Sequence, residues 1–245
     1  ALYKNTEGNN NTASGSGALF ENISGNYNTA TGDGALYRNT EGNNNTASGS
    51  GALNNNTTGS SNTASGYTAL SSNTKGANNT ATGNGALYKN TEGNNNTASG
   101  SGALYNNISG DNNTATGNSA LRNNTGSGNT ASGIQALYSN IGGFENTAMG
   151  FSALLSNTEG NKNTAIGHGA DVGSNNLTNA TAIGNGAIVN ASDKIRLGNA
   201  SVTVIEGQVA FTTPSDRRLK KDIVDTRYGL NTILALRPVD YQMKS

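Results

Sequence analysis

The tripeptide Asn-Thr-Ala recurs along the chain at an almost constant step. Its threonine falls at Thr12, Thr29, Thr46, Thr63, Thr80, Thr97, Thr114, Thr130, Thr147, Thr164 and Thr181, 17 residues apart except for one step of 16, and the last copy has Ala180 in place of the asparagine. Gly15, Gly32, Gly49 and their successors follow in register, so each copy reads close to N-T-A-(S/T)-G-x-G-A-L-x-x-N-(T/I)-x-G-x-N. A unit this short, repeated about eleven times, stacks coils into a solenoid instead of closing one globular core. Seventeen residues are too few for a helix pair, and repeats studded with Gly and Asn are poor helix formers. They suit two short strands and two turns. The first full repeat is expected to run as a strand around Asn11 to Ser14, a turn at Gly15 to Gly17, a second strand over Ala18 to Glu21 and a return turn at Asn22 to Asn26. Gly and Asn fill the corners because both tolerate positive φ.

Composition agrees with thin coils. Apolar residues make up 32% of the chain, against about 45 to 50% in ordinary globular domains. Two prolines and a balanced charge set it apart from disordered low-complexity chains, which are rich in both proline and charge. No run of Lys or Arg precedes Arg217, so there is no electrostatic footprint for nucleic acid, and no apolar stretch is long enough for membrane insertion. No signal peptide is visible, and Ala1 opens inside a repeat, which suits a chain that is a piece of a longer one. The absence of cysteine removes disulfide and thiolate chemistry. With His168 the sole histidine, multi-histidine metal sites and His-dependent triads are excluded, and neither metal nor cofactor is expected.

The position after the repeated alanine varies: Ser14, Thr31, Ser48, Ser65, Thr82, Ser99, Thr116 and Ser132, then Met149, Ile166 and Ile183. Strand alternation puts it on the face of the marker threonine, and a face that accepts Met and Ile is expected to be interior. On that reading hydroxyls line most of the core and hydrogen-bond along the stack, and the last three rungs have the more apolar interior and fold first. The leucines Leu2, Leu19, Leu36, Leu53, Leu70, Leu87, Leu104, Leu121, Leu137 and Leu154 form the main apolar ladder. One leucine per rung is a marginal core, so association with identical chains is expected to complete it.

The strings NTASG, NTAIG at Asn163 to Gly167 and ATAIG at Ala180 to Gly184 resemble the repeats of the YadA-like head of trimeric adhesins. The resemblance covers residues 1–190 and implies a left-handed parallel β-roll in a homotrimer. The period here is longer than that family's commonest one, and Thr-Ser replaces its usual apolar pair in most rungs.

From about Ala191 the repeat stops. Residues 191–214 read as a β connector, since Lys194 to Phe211 alternates and is β-branched in two stretches. Beyond Pro214 the chain turns basic and helix-like, with Leu219 and Ile223, then Leu230, Ile233, Leu234 and Leu236, before Pro238; two short helices meeting near Tyr228 and Gly229 fit this pattern. Ser215, Asp216, Arg218, Leu219 and Lys220, with Ile223, Gly229, Leu230, Ile233, Leu236, Arg237, Pro238 and Tyr241, resemble the opening of the intramolecular chaperone of phage tail fibres and tailspikes, the peptidase S74 family. That resemblance makes 215–245 the N-terminal part of a domain that aids trimerisation and then releases itself. It implies Ser215 as nucleophile, Lys220 as its base and Pro214-Ser215 as the bond cut. Five residues on a helix turn through about 500°, so Ser215 has to stand off the helix for the lysine to reach it. A plain N-cap serine and a solvated lysine are the competing readings.

Aromatic residues follow several of the leucines: Tyr3, Phe20, Tyr37, Tyr88, Tyr105 and Tyr138. An exposed ladder of rings could stack on the sugars of a cell-surface glycan, and the competing reading buries them between chains. Glu7, Glu41, Glu92 and Glu159 recur at repeat multiples and read as solvated turns, His168 as a surface residue. No close pair of carboxylates marks a glycosidase. An ordered Thr-x-Ser/Thr array could also face ice, but only from a flat exposed stack, which the inward reading denies. The sequence therefore reads as an all-β, trimeric fibre segment on a virion. Its partners would be its own copies and a host-surface glycan or protein receptor, and its only catalysis one self-cleavage. A bacterial surface adhesin head, a glycan-degrading tailspike and an ice-binding solenoid are the alternatives.

Overall fold

The computed structural model describes residues 1–207, and residues 1–203 form one compact unit. Each repeat contributes one three-residue strand, from β1 (Thr12–Ser14) through β10 (Thr164–Ile166). Two more rungs extend the sheet with β12 (Thr181–Ile183) and β14 (Ile195–Leu197). All twelve strands pair in parallel, each with its neighbour in the stack. Threonine lies on threonine and alanine on alanine from β1 to β12, as in Thr80↔Thr97 and Ala81↔Ala98, and on β14 Ile195 and Arg196 take those places. At about 4.8 Å per rung the stack is roughly 50 Å long. The single 16-residue step leaves strand register untouched, with Thr114 on Thr130; the missing residue comes out of the corner at Thr125-Gly126, where other rungs have Thr-Glu-Gly. Of the two strands read over Lys194 to Phe211, one is present at Ile195–Leu197, on top of β12; residues 201–207 form no strand, and the remainder lies outside the described residues. The helices read beyond Pro214 lie outside the described residues.

Inside and outside are the reverse of the sequence expectation. In β2 to β8 the central alanine is buried and both hydroxyl residues are exposed. Met149, Ile166 and Ile183 stand outward too. The roll is so thin that only a methyl group fits between the sheet and the opposite wall, so the column that never varies, alanine, is the packed one. An outward column tolerates Ser, Thr, Met or Ile because nothing presses on it. Met149, Ile166 and Ile183 therefore add nothing to the interior of the last rungs and give them no reason to fold first.

The opposite wall also departs from expectation. Ala18 to Glu21 is not a strand, because Leu19 sits at φ +49°, and the leucine of every following repeat to Leu154 does the same. Backbone ladder bonds survive on either side of it, Leu19 N–H to the Ala35 carbonyl at 3.0 Å and Glu21 N–H to that of Tyr37 at 2.8 Å. Left-handed backbone costs an L-residue about 1 to 2 kcal/mol. Full burial of a leucine side chain is worth about 1.5 to 3 kcal/mol, so the twist that points it inward is retained. Where Asp171 and Ile188 take the leucine position, the wall becomes extended: β11 (Asp171–Val172) pairs with β13 (Ile188–Val189). Val172 and Val189, one residue later, then fill the core.

Asparagine completes the interior. One ladder runs through Asn22, Asn39, Asn56, Asn73 and onward to Asn157, all fully buried. Asn73 donates from Nδ2 to Asn56 Oδ1 at 2.7 Å and to the Gly76 carbonyl at 2.9 Å, and its own Oδ1 accepts from Asn90 at 2.8 Å. A second ladder passes from Asn28 to Asn163; Asn79 donates to the Gly93 carbonyl at 2.8 Å and accepts from the Asn96 N–H at 2.9 Å. Among the described residues no buried side-chain nitrogen or oxygen lacks a partner. These amides, and not the strand hydroxyls, carry the polar interior.

Candidate functional site

The solenoid presents repeating columns, and no pocket opens among the described residues. The flattest surface is the outward face of the sheet. Over β1 to β8 it carries two parallel columns of exposed hydroxyls, the marker threonines and the Ser/Thr two residues on. Among the described residues these hydroxyls make no hydrogen bond. The corner threonines behave differently: Thr57 and Thr74 each donate to the carbonyl of the next rung's threonine at 2.9 Å. From β9 (Thr147–Met149) the second column changes to Met149, Ile166, Ile183 and Leu197, which lie in register on successive rungs. Beside it, Ile134 and Phe151 are exposed at the position after the first glycine, where Tyr67 and His168 also stand. His168 is exposed, and its ring stacks on Phe151 with centroids 5.1 Å apart.

The aromatic column lies on the other wall, just after the left-handed leucines. Tyr3, Phe20 and Tyr37 form a continuous stack with centroids 5.0 Å apart and nearly parallel planes. Asn54 and Ser71 interrupt it, Tyr88 and Tyr105 resume it at 4.9 Å, and the Arg122 guanidinium caps Tyr105 at 4.6 Å. Glycine is needed beneath the rings: a Cβ on Gly85, at φ +60°, would stand 3.1 Å from the ring of Tyr105. The stacked rings turn their faces on one another; Tyr3 is exposed, and Phe20, Tyr37, Tyr88 and Tyr105 are part-buried. Tyr138 stands further along the same column, part-buried.

Glu7, Glu41, Glu92 and Glu159 are exposed at the corners, as read. Among the described residues no cluster of His, Asp and Glu could hold a metal ion. Burial pushes the Asp171 carboxyl up, partly offset by hydrogen bonds from Ser156 and from the Val172 N–H. Pro214, Ser215 and Lys220 lie outside the described residues. Sequence reasoning missed the apolar ladder as a surface, together with Ile134 and Phe151. The signal that could have found them is column variability, since a position that changes from Ser to Met or from Asn to Phe without disturbing the repeat is unpacked.

Residues 215–245 match the family described as chaperone of endosialidase, Peptidase S74. No curated protein matches the chain.

Proposed function

We propose that the solenoid is the structural and adhesive shaft of a homotrimeric, phage tail-fibre-like protein, and that Ser215 opens an intramolecular chaperone that aids trimer assembly. The observation that carries this reading is the order of parts: a parallel β-solenoid whose last strand ends at Leu197, followed in the chain by a segment at 215–245 matching the chaperone of endosialidase. The YadA-like repeat strings favour the same trimeric roll, and a virion would be its place. The head of a bacterial trimeric adhesin remains the nearest alternative, with the shaft unchanged and the anchor different. Host recognition would use the outer columns, where the part-buried rings of Phe20, Tyr37, Tyr88, Tyr105 and Tyr138, with Tyr3, offer a row of contacts to a glycan.

Self-release would proceed through Ser215 and Lys220. Unprotonated Lys220 takes the hydroxyl proton of Ser215, and Oγ attacks the Pro214 carbonyl carbon. The C–N bond breaks, the Ser215 nitrogen gains a proton, and water hydrolyses the resulting ester to leave the Pro214 carboxylate. Expression of the complete gene product tests this directly. The parent should yield a chain whose denatured mass ends at Pro214, while Ser215→Ala and Lys220→Ala stay uncut. Full-length parent under conditions where it trimerises would end the self-cleavage reading.

The exposed, unpartnered hydroxyls favour a second reading, an ice-binding face. Rungs about 4.8 Å apart and strand positions about 6.6 Å apart make a flat hydroxyl lattice close in scale to the oxygen repeats of ice. It requires that face to be free in the assembled molecule. Unaltered growth of a single ice crystal in the presence of the protein would dismiss it.

A further inference from the structure

We infer that the outward face of the sheet, led by its apolar C-terminal rungs, is the surface through which copies of this chain meet. The inference rests on the trimer reading above and adds the face and the residues. Four consecutive rungs place Met149, Ile166, Ile183 and Leu197 in one column, each 39 to 48% exposed, and Ile134 and Phe151 flank it at 49% and 46%. Rungs about 4.8 Å apart leave no gap between these side chains. A continuous apolar patch of this kind on a soluble surface marks an interaction site.

Three features point to a second copy as the occupant. The apolar column carries no charged side chain: the neighbouring column holds Thr147, Thr164, Thr181 and Ile195, Arg196 turns back to donate to the Gly198 carbonyl at 2.8 Å, and Lys194 at the edge donates to Asn190 Oδ1 at 2.9 Å. Identical faces can therefore approach without like-charge repulsion. Backbone N–H and C=O groups of the sheet are consumed along the stack, so the face offers side chains alone. The apolar rungs are also the last of the solenoid, the nearest in the chain to the chaperone-like segment at 215–245. Copies aligned by that segment would bring rung against like rung, with the Met/Ile/Leu column dry and the hydroxyl columns of β1 to β8 continuing the contact as a hydrated seam.

The repeat itself supplies the test. Met149→Ser, Ile166→Thr and Ile183→Thr, made together in the complete gene product, install residues that the same column already carries in eight earlier rungs, so the coil accepts them. Circular dichroism should stay unchanged, while the concentration at which the trimer dissociates in analytical ultracentrifugation should rise at least about tenfold. In the cysteine-free chain, Ile166→Cys should also cross-link between copies through a short bismaleimide much faster than Glu92→Cys at an exposed corner. A trimer whose dissociation is unmoved by the triple substitution overturns the inference and leaves the trimer reading standing. A parent that is monomeric at all concentrations overturns both.

Discussion

At the scale of single residues, one amino acid does several jobs that its letter does not distinguish. In the triplet Asn94-Asn95-Asn96, Asn94 donates from Nδ2 to the Glu92 carbonyl at 2.9 Å and its N–H reaches Asp111 Oδ1 at 2.6 Å. Asn95 is exposed at φ +55°. Asn96 is buried, donating to the Gly110 carbonyl at 2.7 Å and accepting from the Asn113 N–H at 2.9 Å. The corner role of asparagine was legible from its tolerance of positive φ, but the ladders were not, because they exist only between rungs. The two roles separate on substitution. Asn95→Ala should cost about 1 kcal/mol for the left-handed backbone, and Asn96→Ala about 2 to 5 kcal/mol for the buried partners left unpaired. Hydrogen exchange at the flanking rungs reads both; equal losses would refute the ladder as a stabilising element.

At the scale of the element, the strand is three residues long, and its two faces differ by which column is free to vary. The spacing of Asn-Thr-Ala predicts where strands lie and that they stack in parallel, and β1 to β10 fall at those positions. It could not predict which face points inward, because Thr-Ala-Ser alternates either way. What decides is the width of the roll, set by the wall carrying the leucines, and that wall folds through left-handed leucines that no propensity scale anticipates. The consequence is sharp at neighbouring positions. Thr80→Val should change stability by no more than about 0.5 kcal/mol, as expected of a surface site. Ala81→Val should lose about 1 to 3 kcal/mol by overpacking. Thermal unfolding of the two variants checks this, and the opposite order would mean the hydroxyls face inward after all.

At the scale of the whole molecule, stability is a sum over like rungs, each contacting its neighbours alone. The repeat tolerates a missing corner residue between Thr114 and Thr130 because strand register is held by the alanine, leucine and asparagine columns and not by loop length. The family resemblance was legible where a local motif carries it, from Ser215 onward, and the match over 215–245 agrees. It was not legible on the sheet face, whose meaning depends on which way the strands turn. The proposed function joins these parts: a solenoid with an outward hydroxyl and apolar face would be assembled by a chaperone that then leaves. Native mass spectrometry of the complete gene product tests that joint claim in one measurement. Three copies of a chain ending at Pro214 are predicted, and a full-length monomer would contradict it.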